Sequence, residues 1–362
     1  MKKMETKENN KNKIDHIARK KAKYASILTI LIFGVIIVIL LGIMIGSVQI
    51  HPLTTLKIFI EKFLGIFGIQ YESGATQTEE TIVLEVRGPR VIMGIIVGAA
   101  LAIAGAAMQG LFRNPMAEPY VLGMSSGAAV GAALAIVLGI SFLGFGIVGM
   151  AFVFALLEIT IVYFIARTHG KIPVETLLLA GIAMGFFMYA IVSFLKFIAP
   201  DETLKVIVLW LMGSLSGATW SKIPIVLPIL IIGTIGIYML SRELNAMQFG
   251  EETASYVGVN VETTKRLLLI FSSIITATAV AFSGIIGFVG LIIPHIIRMI
   301  AGPDHHILLP ASALFGGIFL VLCDIIARAA FSPVELPIGI VTAFIGAPYF
   351  IYLLRKKKKG FF

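Results

Sequence analysis

Long apolar runs alternate with short polar segments along most of the chain. Runs of this kind predict membrane-crossing helices, because about twenty helical residues span the hydrocarbon core of a bilayer. We count ten runs, at residues 25–46, 91–111, 120–140, 143–166, 176–198, 223–240, 266–286, 287–301, 307–331 and 336–354. The pattern predicts an all-α, polytopic membrane protein whose residues 25–354 form one domain of about ten transmembrane helices.

The eighth run, 287–301, is short, contains Pro294 and follows a glycine-rich link. Broken helices are tolerated at membrane depth only where protein surrounds them. This run therefore predicts a half-span packed inside the bundle.

Composition agrees with the membrane class. The chain has 362 residues, of which 58% are hydrophobic and 14% charged, and its mean hydropathy is +0.98. Soluble domains contain about 25% charged residues. The net charge of +9 lies in tails and short loops rather than on one solvated face, so we expect contact with membrane lipid and not with nucleic acid. The single cysteine, Cys323, excludes an internal disulfide.

Basic residues collect in the two tails, 1–24 and 355–362, and in short segments on the same side of the ten predicted helices. Positive residues mark the cytoplasmic side, so we expect a multi-pass protein of the cell membrane with both termini in the cytoplasm. The opposite side has an external loop at 49–90 and a second loop at 199–222. Three basic residues depart from the trend near the outer face and call for a partner: Arg87, Arg90 and Arg328.

Small residues recur at helical spacing in three Gly-x-x-x-Gly pairs, Gly94/Gly98, Gly127/Gly131 and Gly181/Gly185. Such pairs allow helices to approach closely in lipid. We expect them to serve packing rather than to line a pore.

Motifs of soluble enzymes are weak here. Residues 144–149 match a dinucleotide fingerprint without a βαβ unit, and residues 123–127 match a nucleophile elbow at the start of a membrane helix. A membrane hydrolase would need a base near Ser125, and His295 is the only histidine at membrane depth. The chain has no Walker motif and no metal-type Cys/His spacing. We expect no enzymatic activity, cofactor or metal site.

Few ionisable residues lie within the apolar runs: Glu158, Lys196, Asp324 and Arg328. An ion-coupled secondary carrier, the rival class, usually concentrates carboxylates near the midplane, and this concentration is missing. Asp324 and Arg328 are four residues apart on one predicted helix. A local ion pair and an outer docking role for Arg328 both stay open.

The cytoplasmic segment 241–265 contains a second candidate site. Residues 250–260 predict a short helix, with Glu251 and Glu252 in the first turn and Gly258 as its stop. Ala254 and Val257 would share one small apolar face, which suits insertion into a groove of another protein. A solvated connector is the alternative.

The order of motifs resembles the FecCD-type permeases, the membrane subunits of ABC importers for iron-siderophores, haem and cobalamin. The resemblance covers about 87–354 and rests on RGPR at 87–90, AMQGLFRNPMAEPYVLGMSSGAAVGA at 107–132, LLLAGIA at 177–183, GEETASYVGVNV at 250–261, GFVGLIIPHIIRMIAGPDHH at 287–306 and CDIIARAAF at 323–331.

The resemblance implies a homodimer with two ATP-binding subunits, which hydrolyse ATP, and an extracytoplasmic substrate-binding protein. It implies that Arg87, Arg90 and Arg328 dock the binding protein and that Asn114 and Met116 narrow the inner gate. Val174 and Glu175 stand where the family has a second gate. The coupling helix to the ATPase would contain Gly250, Glu251, Glu252, Ala254, Val257 and Gly258. The expected cargo is an iron chelate, with cobalamin or molybdate/tungstate as alternatives.

Overall fold

Helices make up the whole architecture of the part of the chain that the structure, a computed structural model, describes, residues 2–69 and 71–358. The helices are α1 (Lys2–Met44), α2 (Pro52–Ile66), α3 (Gln77–Thr81), α4 (Gly88–Leu111), α5 (Met124–Val137), α6 (Gly146–Ala166), α7 (Val174–Ile198), α8 (Asp201–Leu211), α9 (Ile223–Met239), α10 (Ser241–Met247), α11 (Glu251–Tyr256), α12 (Val261–Ser283), α13 (Val289–Ala301), α14 (His305–Ala329) and α15 (Ile338–Lys358). A π-helical stretch, Ile82–Arg87, joins α3 to α4, and 3-10 turns precede α5 and α6. The all-α prediction is confirmed.

Each of the ten apolar runs coincides with a helix. Six segments are long and apolar enough to cross a bilayer on their own: Ala18–Met44, Gln77–Leu111, Gly146–Ala166, Val174–Ile198, Val261–Ser283 and His305–Ala329. The helices α9 and α10, bent by 48° at their junction, make a seventh candidate. Three shorter apolar helices, α5, α13 and Ile338–Leu353 of α15, complete the set.

The helices α5 and α13 are too short to cross the hydrocarbon core of a bilayer. α5 has 14 residues and α13 has 13, so each is about 20 Å long at about 1.5 Å per residue, against a hydrocarbon core of about 30 Å. The surrounding protein must therefore cover part of their ends. This agrees with the half-span predicted for residues 287–301.

The centre of the bundle is α4. Its most apolar window is 78% buried, whereas the corresponding window of α1 is only 17% buried. Polar Gln109 and the charged Arg90 lie within α4 at 2% and 5% exposure. The helices α9, α12, α13 and α14 pack around α4, so this helix connects the two ends of the molecule.

Glycines permit the closest helix contacts. A Cβ at Gly98 would overlap the backbone of Gly316 in α14, and one at Gly105 would overlap that of Gly290 in α13. The predicted packing role is confirmed at Gly131, which lies against the carbonyl of Met150, and at Gly181, where a Cβ would lie 2.6 Å from the carbonyl oxygen of Val121.

Helices are present in the segment predicted as an external loop and in the predicted basic tails. The segment 49–90 is largely helical rather than a loop: α2 begins at Pro52 after His51 Nδ1 accepts a hydrogen bond from the Leu53 amide, and Ile58 is fully buried. The tails continue neighbouring helices, because α1 begins at Lys2 and α15 runs to Lys358. Residues 359–362 of the predicted tail lie outside the described residues.

Candidate functional site

The short helix α11 lies between α10 and α12, within the predicted segment 250–260. Gly250 precedes it with φ +112° and Gly258 follows it with φ +88°. Side chains other than glycine rarely adopt these φ values, so the two glycines set the bounds of the helix. Glu251 and Glu252 occupy its first turn, where acidic groups favour the helix dipole. The prediction of a short helix is confirmed.

The exposed face of α11 differs from the predicted one. Ala254 is 0% exposed and packs into the core, so its assignment to an outward apolar face is wrong. Val257 is 67% exposed, and Tyr256 and Phe249 are 87% and 78% exposed. The helix buries its small residue and presents larger ones, because Ala254 lies almost opposite Tyr256 on the helical turn. We name Phe249, Tyr256 and Val257 the α11 patch.

A buried lysine fastens α11 to its surroundings. Lys265 Nζ lies 2.7 Å from Glu251 Oε2 and 3.4 Å from Glu262 Oε1, and its side chain is 4% exposed. It also donates to the carbonyl of Ile172 at 3.2 Å, while the Ile172 amide donates to Glu262 Oε2 at 2.9 Å. We name Lys265, Glu251, Glu262 and Ile172 the lysine cluster. It joins α11, the start of α12 and the segment that leads into α7.

Both predicted gate segments lie beside this cluster. The turn after α4 is closed by Asn114, whose Oδ1 accepts from the Met116 amide at 2.9 Å. Val174 and Glu175 form the first turn of α7. A cavity of about 350 Å³ is lined by residues from the turn, from the start of α7 and from the lysine cluster, namely Phe112, Arg113, Val174, Glu175, Glu251 and Lys265. These residues are far apart in the sequence, so the sequence did not predict that they lie around one cavity.

The opposite end of the bundle contains the three arginines. Arg87, Arg90 and Arg328 are 3%, 5% and 2% exposed. Arg90 bonds to Asp324 through Nε at 3.0 Å and Nη2 at 2.9 Å, and to Glu335 at 2.7 Å. Arg328 Nε lies 3.0 Å from Asp324 Oδ2. The local ion pair of Asp324 and Arg328 is confirmed.

Arg87 is partnered differently. Its guanidinium donates to the carbonyls of Ile43 and Met44 at 2.9 Å each, and to that of Val48. No ion pair among the described residues involves it. With these side chains turned inward, the structure does not support docking by Arg90 and Arg328, because their charges are already paired. We name Arg87, Arg90, Asp324, Arg328 and Glu335 the arginine cluster.

The remaining ionisable residues of the apolar runs are separate from both clusters. Glu158 is 0% exposed and lies within reach of Ser126 Oγ, at 3.2 and 3.4 Å. A Cβ at Gly127 would lie 2.5 Å from the Glu158 carboxylate, so this glycine makes room for the acid. No hydrogen bond among the described residues joins Ser125 to His295, which gives no support to a hydrolase.

Asp304 ties α1, α10 and α14 together. It accepts from Lys20 at 3.2 Å, from Asn245 Nδ2 at 2.9 Å and from the His306 amide at 3.1 Å. Partial burial alone would raise its pKa, but the hydrogen bonds from Asn245, His306 and Lys20 outweigh burial and lower the pKa of Asp304 to about 2. The carboxylate is therefore ionised at neutral pH.

Sequence reasoning missed three of these residues. In the sequence, Lys265 was interpreted only as a basic residue of the cytoplasmic segment 241–265, although Glu262 lies three residues before it on the same helix. Glu335 and Ile172 lie in connections between helices and have no periodic signal. Only the fold brings them to the basic residues.

The chain is similar to known proteins in sequence and in fold. A model of the FecCD transport family matches residues 34–356. The chain is 48% identical to the cobalamin import system permease of Halobacterium salinarum, over 79% of this chain and 76% of the relative. It is 43% identical to the hemin transport system permease of Yersinia pestis, over 76% and 84%. A solved inward-facing, metal-chelate type ABC transporter aligns with a TM-score of 0.80 and 32% identity, over 92% of this chain and 99% of that one.

Proposed function

Because the chain belongs to the FecCD transport family, whose members are ABC importer permeases, we propose that it works as a homodimer that passes an iron chelate, a siderophore complex or haem, across the cell membrane. An ABC permease implies an ATPase partner and a substrate-binding partner. ATP hydrolysis then takes place in a separate ATP-binding subunit, since the sequence has no Walker motif.

The α11 patch, together with the lysine cluster, is the observation that best supports transport driven by a separate ATPase subunit. A short helix with large exposed apolar side chains suits a groove on a partner, and here the partner is the ATPase subunit. Closure of two such subunits on ATP would move α11. The bond from Lys265 to Glu251 then passes the movement to Ile172 and the first turn of α7, beside the turn of Asn114 and Met116.

The orientation follows from charge. The end of the bundle with α10 and α11 also holds Lys20, Arg113, Lys171 and Arg298. By the positive-inside trend this end faces the cytoplasm. Both termini then lie in the cytoplasm, and the arginine cluster lies near the outer face, where a binding protein would dock.

Docking at the outer face is proposed for Arg87 in particular. Its guanidinium has carbonyl partners but no carboxylate, whereas Asp324 and Glu335 already neutralise Arg90 and Arg328. An acidic side chain of the binding protein would complete the pairing through a charge-assisted hydrogen bond. The end of α1 would have to shift to admit it.

Iron chelates are favoured by the relative named for hemin and by the solved transporter of metal-chelate type. Cobalamin is the second candidate, because a relative named for cobalamin is 48% identical. Cargo of this size passes most readily between small and apolar side chains, and the chain has 36 glycines.

Reconstitution tests the proposal. The chain is placed in liposomes with a Walker-motif ATPase and a binding protein from neighbouring genes, and uptake of labelled ferric siderophore, haem and cobalamin is measured. We expect ATP-dependent uptake of an iron chelate and none with an ATPase whose Walker lysine is replaced. Uptake of cobalamin alone would select the second candidate. Uptake that follows an ion gradient without ATP would identify a secondary carrier and defeat the proposal.

A further inference from the structure

A cavity of about 460 Å³ lies beyond the end of α4, between the first turn of α14, the last turns of α13 and Gln248 after α10. It belongs to neither cluster. Two guanidiniums line it, Arg113 and Arg298, together with two imidazoles, His295 and His305. No carboxylate of the described residues lines it.

Arg298 is held in place without being neutralised. Gln109 Nε2 donates to the carbonyls of Gly290 at 3.3 Å and Leu291 at 3.0 Å. This orients Gln109 Oε1 toward Arg298, whose Nη1 donates to it at 2.8 Å. A neutral amide thus fixes the position of the guanidinium and leaves its charge uncompensated. No ion pair in the described part of the chain involves Arg298.

The second guanidinium comes from the turn after α4. Arg113 has φ +49°, a left-handed conformation that is uncommon for an arginine. Its amide donates to the carbonyl of Gly110 at 3.3 Å, but its guanidinium makes no hydrogen bond or ion pair with other described residues. Arg113 is exposed and borders this cavity as well as the cavity of about 350 Å³ with Glu175 and Glu251, and its Nη1 would lie 3.7 Å from a Cβ at Gly250. Arg298 is therefore the central positive group of the cavity, and Arg113 adds a second one at its edge toward α11.

Unpartnered histidines mark the cavity further. His295 is 6% exposed, and neither of its ring nitrogens has a hydrogen-bond partner among the described residues. His305 is 1% exposed; its Nδ1 lies 2.9 Å from Asn245 Oδ1, but its Nε2, next to Gly110, has no partner. Buried polar groups are almost always satisfied, so these nitrogens point to a missing ligand.

The nearest acid does not fill this role. Asp304 precedes His305 but does not line the cavity, and its oxygens accept from Lys20, Asn245 and the His306 amide. The cavity thus keeps an excess of positive charge. Forked guanidinium donors match the oxygens of phosphate.

The cavity is also too large and too apolar for an inorganic ion alone. Its volume falls in the range of about 300–1,000 Å³ typical of organic ligand sites. Met299, which is 51% exposed, and two prolines contribute apolar walls. We propose that this cavity binds an organic anion through its phosphate group, with the guanidiniums of Arg113 and Arg298 on the phosphate oxygens and the apolar walls against the rest of the molecule.

Two sources offer this chemistry, the headgroup of an anionic phospholipid and a soluble phosphate ester. The full chain, purified in detergent and stripped of lipid, is tested with both. Native mass spectrometry compares phosphatidylglycerol with phosphatidylcholine, and calorimetry compares sn-glycerol 3-phosphate with glycerol. Binding of phosphatidylglycerol alone assigns the lipid source, and binding of sn-glycerol 3-phosphate assigns the soluble one.

The matched variants are Arg298→Gln and, as control, Arg242→Gln, which removes the same charge from an exposed position on α10 outside the cavity. We expect Arg298→Gln to weaken phosphate binding about tenfold or more, as for the loss of one charged hydrogen bond, and Arg242→Gln to leave it unchanged. If Arg298→Gln does not fold, Arg113→Gln replaces it, because that side chain has no internal partner.

Three results would overturn the inference: no preference for either phosphate probe over its neutral counterpart, wild-type affinity in both cavity variants, or an equal loss in Arg242→Gln. The measurement needs neither cargo nor ATPase. Its outcome is therefore independent of the proposed transport function.

Discussion

The arginine cluster and the lysine cluster occupy opposite ends of one bundle and use the same chemistry in different surroundings. Each holds a buried basic side chain between two carboxylates, Arg90 with Asp324 and Glu335, and Lys265 with Glu251 and Glu262. In the first, the Asp324 side chain, which also pairs with Arg328, is 1% exposed, whereas that of Glu335 is 33% exposed. In the second, the carboxylates are 36% and 29% exposed.

The burial of Asp324 therefore distinguishes the two clusters. It makes the arginine cluster a clamp, which fixes two helices together, and the lysine cluster, without a buried carboxylate, a joint, which lets a helix move. A buried ion pair is costly to break, because the charge left behind cannot be solvated. A carboxylate that is about one-third exposed can exchange its basic partner for water at a lower cost. The arginine cluster thus fixes α4 against α14, while the lysine cluster leaves α11 able to move with a partner.

The largest effect is expected from Asp324→Asn. Two buried guanidiniums, Arg90 and Arg328, would lose their shared negative charge, which costs about 3–5 kcal/mol when one partner of a buried pair is removed. We expect a lower midpoint of thermal unfolding for the purified protein. The control is Glu85→Gln, an exposed carboxylate at the same end. Equal midpoints for the two variants would show that the cluster is no clamp.

Arg87→Gln is expected to have an intermediate effect on stability. It removes hydrogen bonds to the end of α1, worth about 1–3 kcal/mol in total. If Arg87 meets an acid of the binding protein, affinity should also fall, with a weaker salt dependence than in the wild type. Unfolding midpoints and dissociation constants at two salt concentrations measure both.

Arg87→Lys serves as the control because it keeps the charge but not the planar fork. We expect it to lose stability and to retain the salt dependence of docking. Binding-protein affinity that is the same in both variants and in the wild type would remove Arg87 from the docking site.

Most of the fold was predictable from sequence, for a physical reason. Apolar runs of membrane length leave the backbone no alternative to helix, because lipid offers no hydrogen bonds. The ten runs therefore became ten helices. The segment 49–90 did not follow this logic, since α2 lies outside the long runs and, of its described side chains, only Thr55 and Ile58 are buried.

Acidification probes a third ionic site, at the same end as the lysine cluster. The pKa of Asp304 lies at about 2, below its ordinary value of 3.8. A lowered pKa stabilises the fold above pH 4, and this contribution disappears as the pH falls from about 4 to 2. We expect a loss on the order of 1–2 kcal/mol. Unfolding of the wild type between pH 5 and 2.5 measures it, and Asp304→Asn should lose part of that slope.

The candidate site was predictable in place but not in orientation. Glycines and acids located α11, yet its two apolar residues Ala254 and Val257 point in different directions, one into the core and one outward. Local pattern gives the periodicity of a helix, but tertiary packing decides which side is buried. The burial of Arg90 was hidden because its partners Asp324 and Glu335 are remote in sequence, and that of Arg87 because its partners are backbone carbonyls of α1.

Glu251→Gln should change stability least, and for that reason it tests the joint most sharply. Lys265 would keep Glu262 and the carbonyl of Ile172, so the loss stays below about 1 kcal/mol. The substitution nevertheless removes the ion pair between Lys265 and Glu251, which connects α11 to the segment before α7. Under the proposed function, this connection couples ATP hydrolysis to transport. We expect the cargo moved per ATP hydrolysed to fall about threefold or more, in line with coupling energies near 1 kcal/mol.

Glu252→Gln changes the neighbouring, exposed acid and should leave that ratio intact. If both variants couple normally while unfolding as the wild type does, the lysine cluster is only an anchor, and the contrast between the two ends disappears.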